Sequence, residues 1–147
     1  MIENEPRLRG ATEEDLDAIV SLLSSYDLPT VDLSGVVSSL FVLDSDGAII
    51  GSGGVEVYGE TGLLRSVAVR DSLKGAGFGT VICREIFDRM RAQGLTELYL
   101  LTTTAPGFFE RMGFTRIDRN DVPADIQGTT EFSTLCPQSA VCMLMSL

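Results

Sequence analysis

Leu63-Leu64-Arg65-Ser66-Val67-Ala68-Val69 leads, after a short polar link, into Lys74-Gly75-Ala76-Gly77-Phe78-Gly79-Thr80. The first heptapeptide is mostly apolar and β-branched, as a strand requires. The second is a glycine-rich loop, and from Val81 onward the apolar residues fall at helical spacing. Glycines at 75, 77 and 79 remove Cβ atoms where a ligand could approach the backbone closely. A helix opening on such a loop presents amides without intrahelical partners and with partial positive charge. The strand, loop and helix together read as a pocket for an anion, a pyrophosphate above all.

Upstream, Pro6 to Ala11 reads as a short edge strand, and Thr12 as the N-cap of a helix with Glu13, Glu14 and Asp15 in its first turn. Leu16, Ile19, Val20 and Leu23 give that helix an apolar face, and a second helical piece is expected over Leu33 to Leu40. Asp44-Ser45-Asp46-Gly47 between Phe41–Leu43 and Ala48–Ile50 has the signature of a hairpin. Gly51, Gly53 and Gly54 in the following strand predict a bulge or a close backbone approach. After a turn at Gly59–Gly62, the Leu63–Val69 strand completes an antiparallel meander.

Downstream, Val81, Ile82, Ile86, Phe87 and Met90 predict the buried face of the next helix, and Gly94 its terminator. Leu98–Leu101 is a buried strand, which strand–helix–strand connectivity makes parallel to Leu63–Val69. Pro106–Arg111 is a short helix stopped by Gly113, and Thr115–Asp118 and Val141–Met145 are the closing strands. The segment between them, Asn120 to Gln138, is long enough for a functional loop. The whole, residues 1–147, reads as one α/β (α+β) domain.

Composition narrows the chemistry. A net charge of -10 argues against nucleic-acid binding, which needs a basic face. No apolar run reaches membrane-spanning length, and Met1-Ile2-Glu3-Asn4-Glu5-Pro6 is too polar for a secretion signal. Cys83, Cys136 and Cys142 do not make a disulfide framework, so a reducing cytoplasm is the expected setting. With no histidine and no CxxC pair, no metal site is expected. Lys74 is the only lysine and stands in the glycine loop. The acidic, lysine-poor balance fits a salt-loving protein or an ordinary acidic one.

The loop is not a dinucleotide fingerprint, because Thr80 stands where its last glycine would be; nor is it a P-loop, whose lysine follows the final glycine. The order of elements instead resembles the GNAT (GCN5-related) N-acetyltransferases along nearly the whole chain. Lys74-Gly75-Ala76-Gly77-Phe78-Gly79 stands in the place of their acetyl-CoA signature, with Lys74 for the usual Arg or Gln. Phe108-Phe109-Glu110-Arg111-Met112-Gly113-Phe114 stands in the place of the second signature, Tyr-x-x-x-Gly-Phe. The Leu63–Val69 and Leu98–Thr104 stretches and the tail from Thr130 to Ala140 are similar to N-acetylglutamate synthase acetyltransferase domains and arsenic-resistance N-acetyltransferases.

The resemblance implies a mixed, mostly antiparallel sheet of six to seven strands with helices on both faces and a splayed central parallel pair. It implies acetyl-CoA as co-substrate. Backbone groups of Val67 and Val69 would pair with the pantetheine arm, and amides around Gly75, Gly77, Gly79 and Thr80 would hold the pyrophosphate, aided by Lys74. It implies acetyl transfer to a small primary amine, with an amino acid or analogue as acceptor and detoxification as one outcome. Dimerisation is common among similar proteins. A sensor that binds acyl-CoA without turnover, and a peptide acetyltransferase, are the competing readings.

The proton chemistry falls to a few side chains. Glu56 is the candidate general base, beside the cofactor strand, with a solvated strand carboxylate as the alternative. Arg65, with Ser66, would clamp a substrate carboxylate, the alternative being a surface ion pair. Phe109 replaces the tyrosine that many family members use as acid, and Tyr99 reads as a core residue rather than its substitute. Cys136 reads as packed or incidental, or as a ligand for arsenic.

Overall fold

In a computed structural model that describes residues 5–137 and 139–147, the elements follow the expected order. They are β1 (Arg7–Gly10), α1 (Leu16–Ser24), α2 (Leu33–Val36), β2 (Leu40–Ser45), β3 (Ala48–Tyr58), β4 (Thr61–Val69) and α3 (Phe78–Ala92), then β5 (Glu97–Thr102), α4 (Pro106–Met112), β6 (Thr115–Ile117), α5 (Ala124–Gln127) and β7 (Val141–Ser146). Met1–Asn4, read above as too polar for a secretion signal, and Gln138 of the tail lie outside the described residues. The described strands form a seven-stranded sheet in the order β1-β2-β3-β4-β5-β7-β6. Only β4 and β5 among the registered pairs run parallel, so the sheet is mixed and mostly antiparallel.

The chain divides into two compact units, Met1–Gly54 with Ser66–Ile86 and Val55–Arg65 with Phe87–Leu147. In the first, Asp46 and Gly47 turn the β2–β3 hairpin with φ values of 50° and 90°. Two successive left-handed residues match the twist of antiparallel strands. Ser45 pairs with Ala48, so the turn is two residues rather than the four that Asp44–Gly47 suggested. Asp44 Oδ1 accepts the Gly47 N–H at 2.7 Å and closes it.

The glycines of β3 answer to both expectations. A register shift between Leu43 and Asp44 marks a bulge, and a Cβ on Gly51 or Gly53 would lie 2.6 Å from Ile82 or 2.8 Å from Ile86. Helix α3 thus lies directly on the backbone of β3. Val42 belongs to the opposite face, where it packs with Ile19 and Leu23 of α1 and Leu33 of α2. Helices therefore cover both faces of this unit's sheet.

Two residues depart from the expected core. Val20 and Val81 are 37% and 41% exposed, whereas Ile19, Leu23, Ile82 and Cys83 are fully buried. The stripe of α3 runs through 82, 83, 86, 87 and 90, and Val81 lies one residue, about 100°, to its side. The first turn after Thr12 is also a 3₁₀ turn, Glu13–Asp15, ahead of the α-helix proper.

In the second unit, Thr61–Leu63 of β4 pairs with Glu97–Tyr99 of β5. Both strands continue past that ladder, β4 for a total of 9 residues and β5 for 6, while β5 pairs along its length with β7. Gly94 and Gly113 end α3 and α4 with φ values of 95° and 114°, as helix terminators should. The segment after β6 carries the Arg119–Asp121 turn, α5 and a π turn at Glu131–Leu135. It places Val122, Ile126 and Phe132 in one core with Leu63, Tyr99, Leu101 and Cys142. Much of the long loop is thus a lid on the sheet, built by burial of apolar side chains.

Candidate active site

Strand β4 opens the first group of candidates. Ser66 sits in the middle of the strand with φ 59°, a left-handed conformation that non-glycine residues seldom adopt. Ser52, fully buried on β3, donates its hydroxyl to the Ser66 carbonyl at 2.7 Å and holds it there. A left-handed residue inside a strand rotates its peptide groups out of the ladder, a device concentrated at binding sites. At the strand's end Arg70 donates its N–H to Ile50 at 2.8 Å, so the Val69 peptide groups point to the other edge. That carbonyl accepts the Tyr26 hydroxyl at 2.6 Å.

A 3₁₀ turn, Asp71–Leu73, delivers the chain to the glycine loop. Gly75 and Gly77 take φ values of 86° and 87°, and a Cβ built on either would meet nothing within 4 Å. Glycine is needed there for the backbone conformation, and the space beside it is open. The first helical bond of α3 runs from the Val81 N–H to the Gly77 carbonyl at 3.2 Å. The amides of Phe78, Gly79 and Thr80 lie ahead of it, where helix geometry provides no intrahelical acceptor. Open space, left-handed glycines and a helix N-terminus fit a diphosphate. Lys74 rests its ammonium 4.5 Å from the centre of the Tyr26 ring.

The second group gathers around Arg65, whose side chain is wholly buried. Its Nη1 donates to Glu56 Oε2 at 2.8 Å, and its Nε lies 3.5 Å from Glu131 Oε2. The ion pair is therefore internal, and Glu56, with its side chain 12% exposed, is no freely solvated carboxylate. The Tyr58 hydroxyl donates to Glu56 Oε1 at 2.8 Å. Burial, and then that bond, push the Tyr58 hydroxyl up to about 12, so it keeps its proton at neutral pH.

Tyr58 and Glu131 were missed by sequence reasoning. Tyr58 carried a usable signal, since residues 56 and 58 of one strand share a face. Glu131 carried none, because a residue so remote in sequence from Arg65 is brought to it only by the packed segment after β6.

Phe109 is buried in an aromatic group, with ring centres 5.1 Å from Phe108 and 5.8 Å from Phe114. Tyr99 is a core residue whose hydroxyl reaches Glu97 at 3.2 Å. Cys136 packs, half-buried, against the same core as Cys142. Burial pushes the Cys142 thiol up to about 11, away from nucleophilic use.

Residues 37–116 match the acetyltransferase (GNAT) domain family. The chain is 30% identical to an amino-acid acetyltransferase of Mycobacterium tuberculosis, over 82% of this chain and 75% of that protein. It is 23% identical to an amino-acid acetyltransferase of Mannheimia succiniciproducens over 84% of its own length, but spans only 30% of that larger protein. Among solved structures, Rv2747 from Mycobacterium tuberculosis, in complex with CoA and NLQ, superposes with a TM-score of 0.81 at 27% identity, covering 97% of this chain and 99% of that one.

Proposed function

The chain belongs to the GNAT acetyltransferase family, a group of acyltransferases, and on that premise we propose that it moves acetyl from acetyl-CoA to the primary amine of an α-amino acid or an amino-acid analogue. The observation that carries the reading is the loop from Lys74 to Thr80, with its two left-handed glycines beside open space at the start of α3. In this reading the amides around Gly75, Gly77, Gly79 and Thr80 hold the diphosphate, Lys74 adds a positive charge, and edge groups of Val67 and Val69 meet the pantetheine arm. The CoA seen with Rv2747 supports the same use of the fold.

Acetyl-CoA supplies an activated thioester. The amine nitrogen bonds to its carbonyl carbon, the carbon–sulfur bond breaks, and the sulfur leaves as thiolate. Two protons leave the nitrogen: before attack the ammonium gives the first to Glu56, whose oxygens keep lone pairs beyond those used by Arg65 and Tyr58, and the second passes to the departing CoA sulfur as the adduct collapses to the amide. Arg65, buried between Glu56 and Glu131, holds the Glu56 side chain in place. Toxic amino-acid analogues would be inactivated by the same step. The setting is the cytoplasm, where Cys83, Cys136 and Cys142 stay thiols.

The test is release of CoA from acetyl-CoA with a panel of amino acids, analogues and lysine-bearing peptides, beside direct CoA binding. Turnover fastest with free amino acids is expected. Peptides turned over faster than every free amino acid would overturn the acceptor class. Tight CoA binding without turnover would favour a second reading, a non-catalytic acyl-CoA sensor. Phe109 is the observation on that side, since it places a ring that cannot donate a proton where the family's acid stands.

A further inference from the structure

Tyr26 belongs to no motif, yet it touches both ends of the segment that joins the cofactor strand to the glycine loop. Its hydroxyl donates to the carbonyl of Val69, the last residue of β4, at 2.6 Å. Its ring lies 4.5 Å from Nζ of Lys74, the first residue of the loop. The turn at Asp71–Leu73 lies between these two anchors. One aromatic side chain, distant in sequence, therefore braces the approach to the cradle at two points.

The direction of Tyr26 is itself built. Helix α1 ends in a Schellman arrangement, with Leu28 N–H donating to Leu23 at 3.0 Å and Asp27 N–H to Ser24 at 3.1 Å. Asp27 takes the left-handed position at φ 56°, where glycine is usual and another residue carries strain. That ending turns the chain sharply after Tyr26 and aims the side chain across the unit.

Lys74 is the only lysine of a chain with net charge -10, so a loosely held ammonium there would be drawn to carboxylates. The ring attracts it through its negative face, without neutralising it, and leaves ammonium hydrogens free to donate on the other side. The Val69 carbonyl, meanwhile, accepts the hydroxyl with one of its two lone pairs.

From these contacts we infer that Tyr26 is a positioning residue for acetyl-CoA: it holds the Lys74 ammonium for the diphosphate and fixes the end of the cofactor strand. The inference rests on the acetyl-CoA reading above, and binding of CoA to the unaltered protein tests that reading separately. If the unaltered protein binds no CoA, the cradle itself falls.

Given CoA binding, steady-state kinetics of Tyr26→Leu, Tyr26→Phe, Lys74→Gln and the double variant Tyr26→Leu/Lys74→Gln test the inference. Tyr26→Leu should raise the KM for acetyl-CoA about tenfold, with kcat and the KM for the amine within about twofold. Tyr26→Phe keeps the ring and should raise it only about threefold. The double variant should be weakened by less than the product of the single effects, because both remove the same contact. ADP as a competitive inhibitor should lose affinity in Tyr26→Leu, which a merely structural role would not single out. The inference is overturned if acetyl-CoA KM is unchanged in Tyr26→Leu, if kcat or amine KM carries the loss instead, or if the single effects multiply fully. Should Tyr26→Leu fail to fold, Tyr26→Phe and Lys74→Gln carry the test singly: each should raise the KM for acetyl-CoA with kcat within about twofold, and an unchanged KM in either overturns the inference.

Discussion

Glu56 joins a buried cation and a neutral hydroxyl through its two oxygens, and that pairing sets what its substitution does. Glu56→Gln keeps the shape and the Tyr58 contact but removes the charge opposite Arg65. As a general base it should be worth about 10²-fold in kcat, and its loss should change the pH–rate profile. An unchanged profile in stopped-time CoA-release assays would reassign the base. Asp15 is a structural counterpart. The Arg9 guanidinium, bonded to it at 2.9 Å, holds its carboxyl down at about 2 against an ordinary 3.8. Because the folded value is the lower one, the stabilisation is complete above about pH 4 and disappears as pH falls toward 2. Asp15→Asn should therefore lower urea stability by about 1–2 kcal/mol at pH 6, discounted because Arg9 is partly exposed, and by almost nothing near pH 2.

The glycines act at the level of elements, and two kinds can be told apart. Gly77 is left-handed with nothing within 4 Å of a built Cβ, so Gly77→Ala pays in backbone strain alone, about 1–2 kcal/mol. The same methyl would stand in the open space of the cradle, so KM for acetyl-CoA should rise in parallel; calorimetric melting and steady-state kinetics report the two effects. Gly54 is the other kind. Its added Cβ would lie 2.8 Å from the Ser39 carbonyl, a backbone atom that cannot swing aside. Gly54→Ala should destabilise by about 1–3 kcal/mol, whereas Gly35→Ala, in α2 with nothing within 4 Å, should stabilise by up to about 1 kcal/mol. Equal melting temperatures for the two variants would refute the close-approach account of β3. The glycine pattern was readable in the sequence because conformational need is local. Which glycine touches what was not, because α3 reaches β3 only after folding.

At the scale of the whole molecule, a net charge of -10 implies self-repulsion that salt should relieve. Between 10 mM and 1 M KCl the melting temperature should rise by about 3–5 °C, as screening shortens the reach of these charges. A protein most stable in dilute buffer would remove any case for adaptation to salt. The mixed, mostly antiparallel sheet of seven strands, the parallel β4–β5 ladder and helices on both faces of the first unit's sheet agree with expectation. They agree because periodicity names each element, and the connection rules leave few ways to join strand, helix and strand.

The strands and the longer helices, the glycine loop, the second aromatic signature and the residue types that identify the family were legible in residue order alone, whereas α5 and the turn at Glu131–Leu135 were not. Each legible feature depends on spacing over a few residues, which chain geometry reads directly. Packing added that Arg65 is shared between Glu56 and Glu131, that Ser52 pins the left-handed Ser66, and that Tyr26 braces both Val69 and Lys74. Those are contacts between residues far apart in the chain. Periodicity says which face a side chain occupies, but only packing of whole elements says what that face meets.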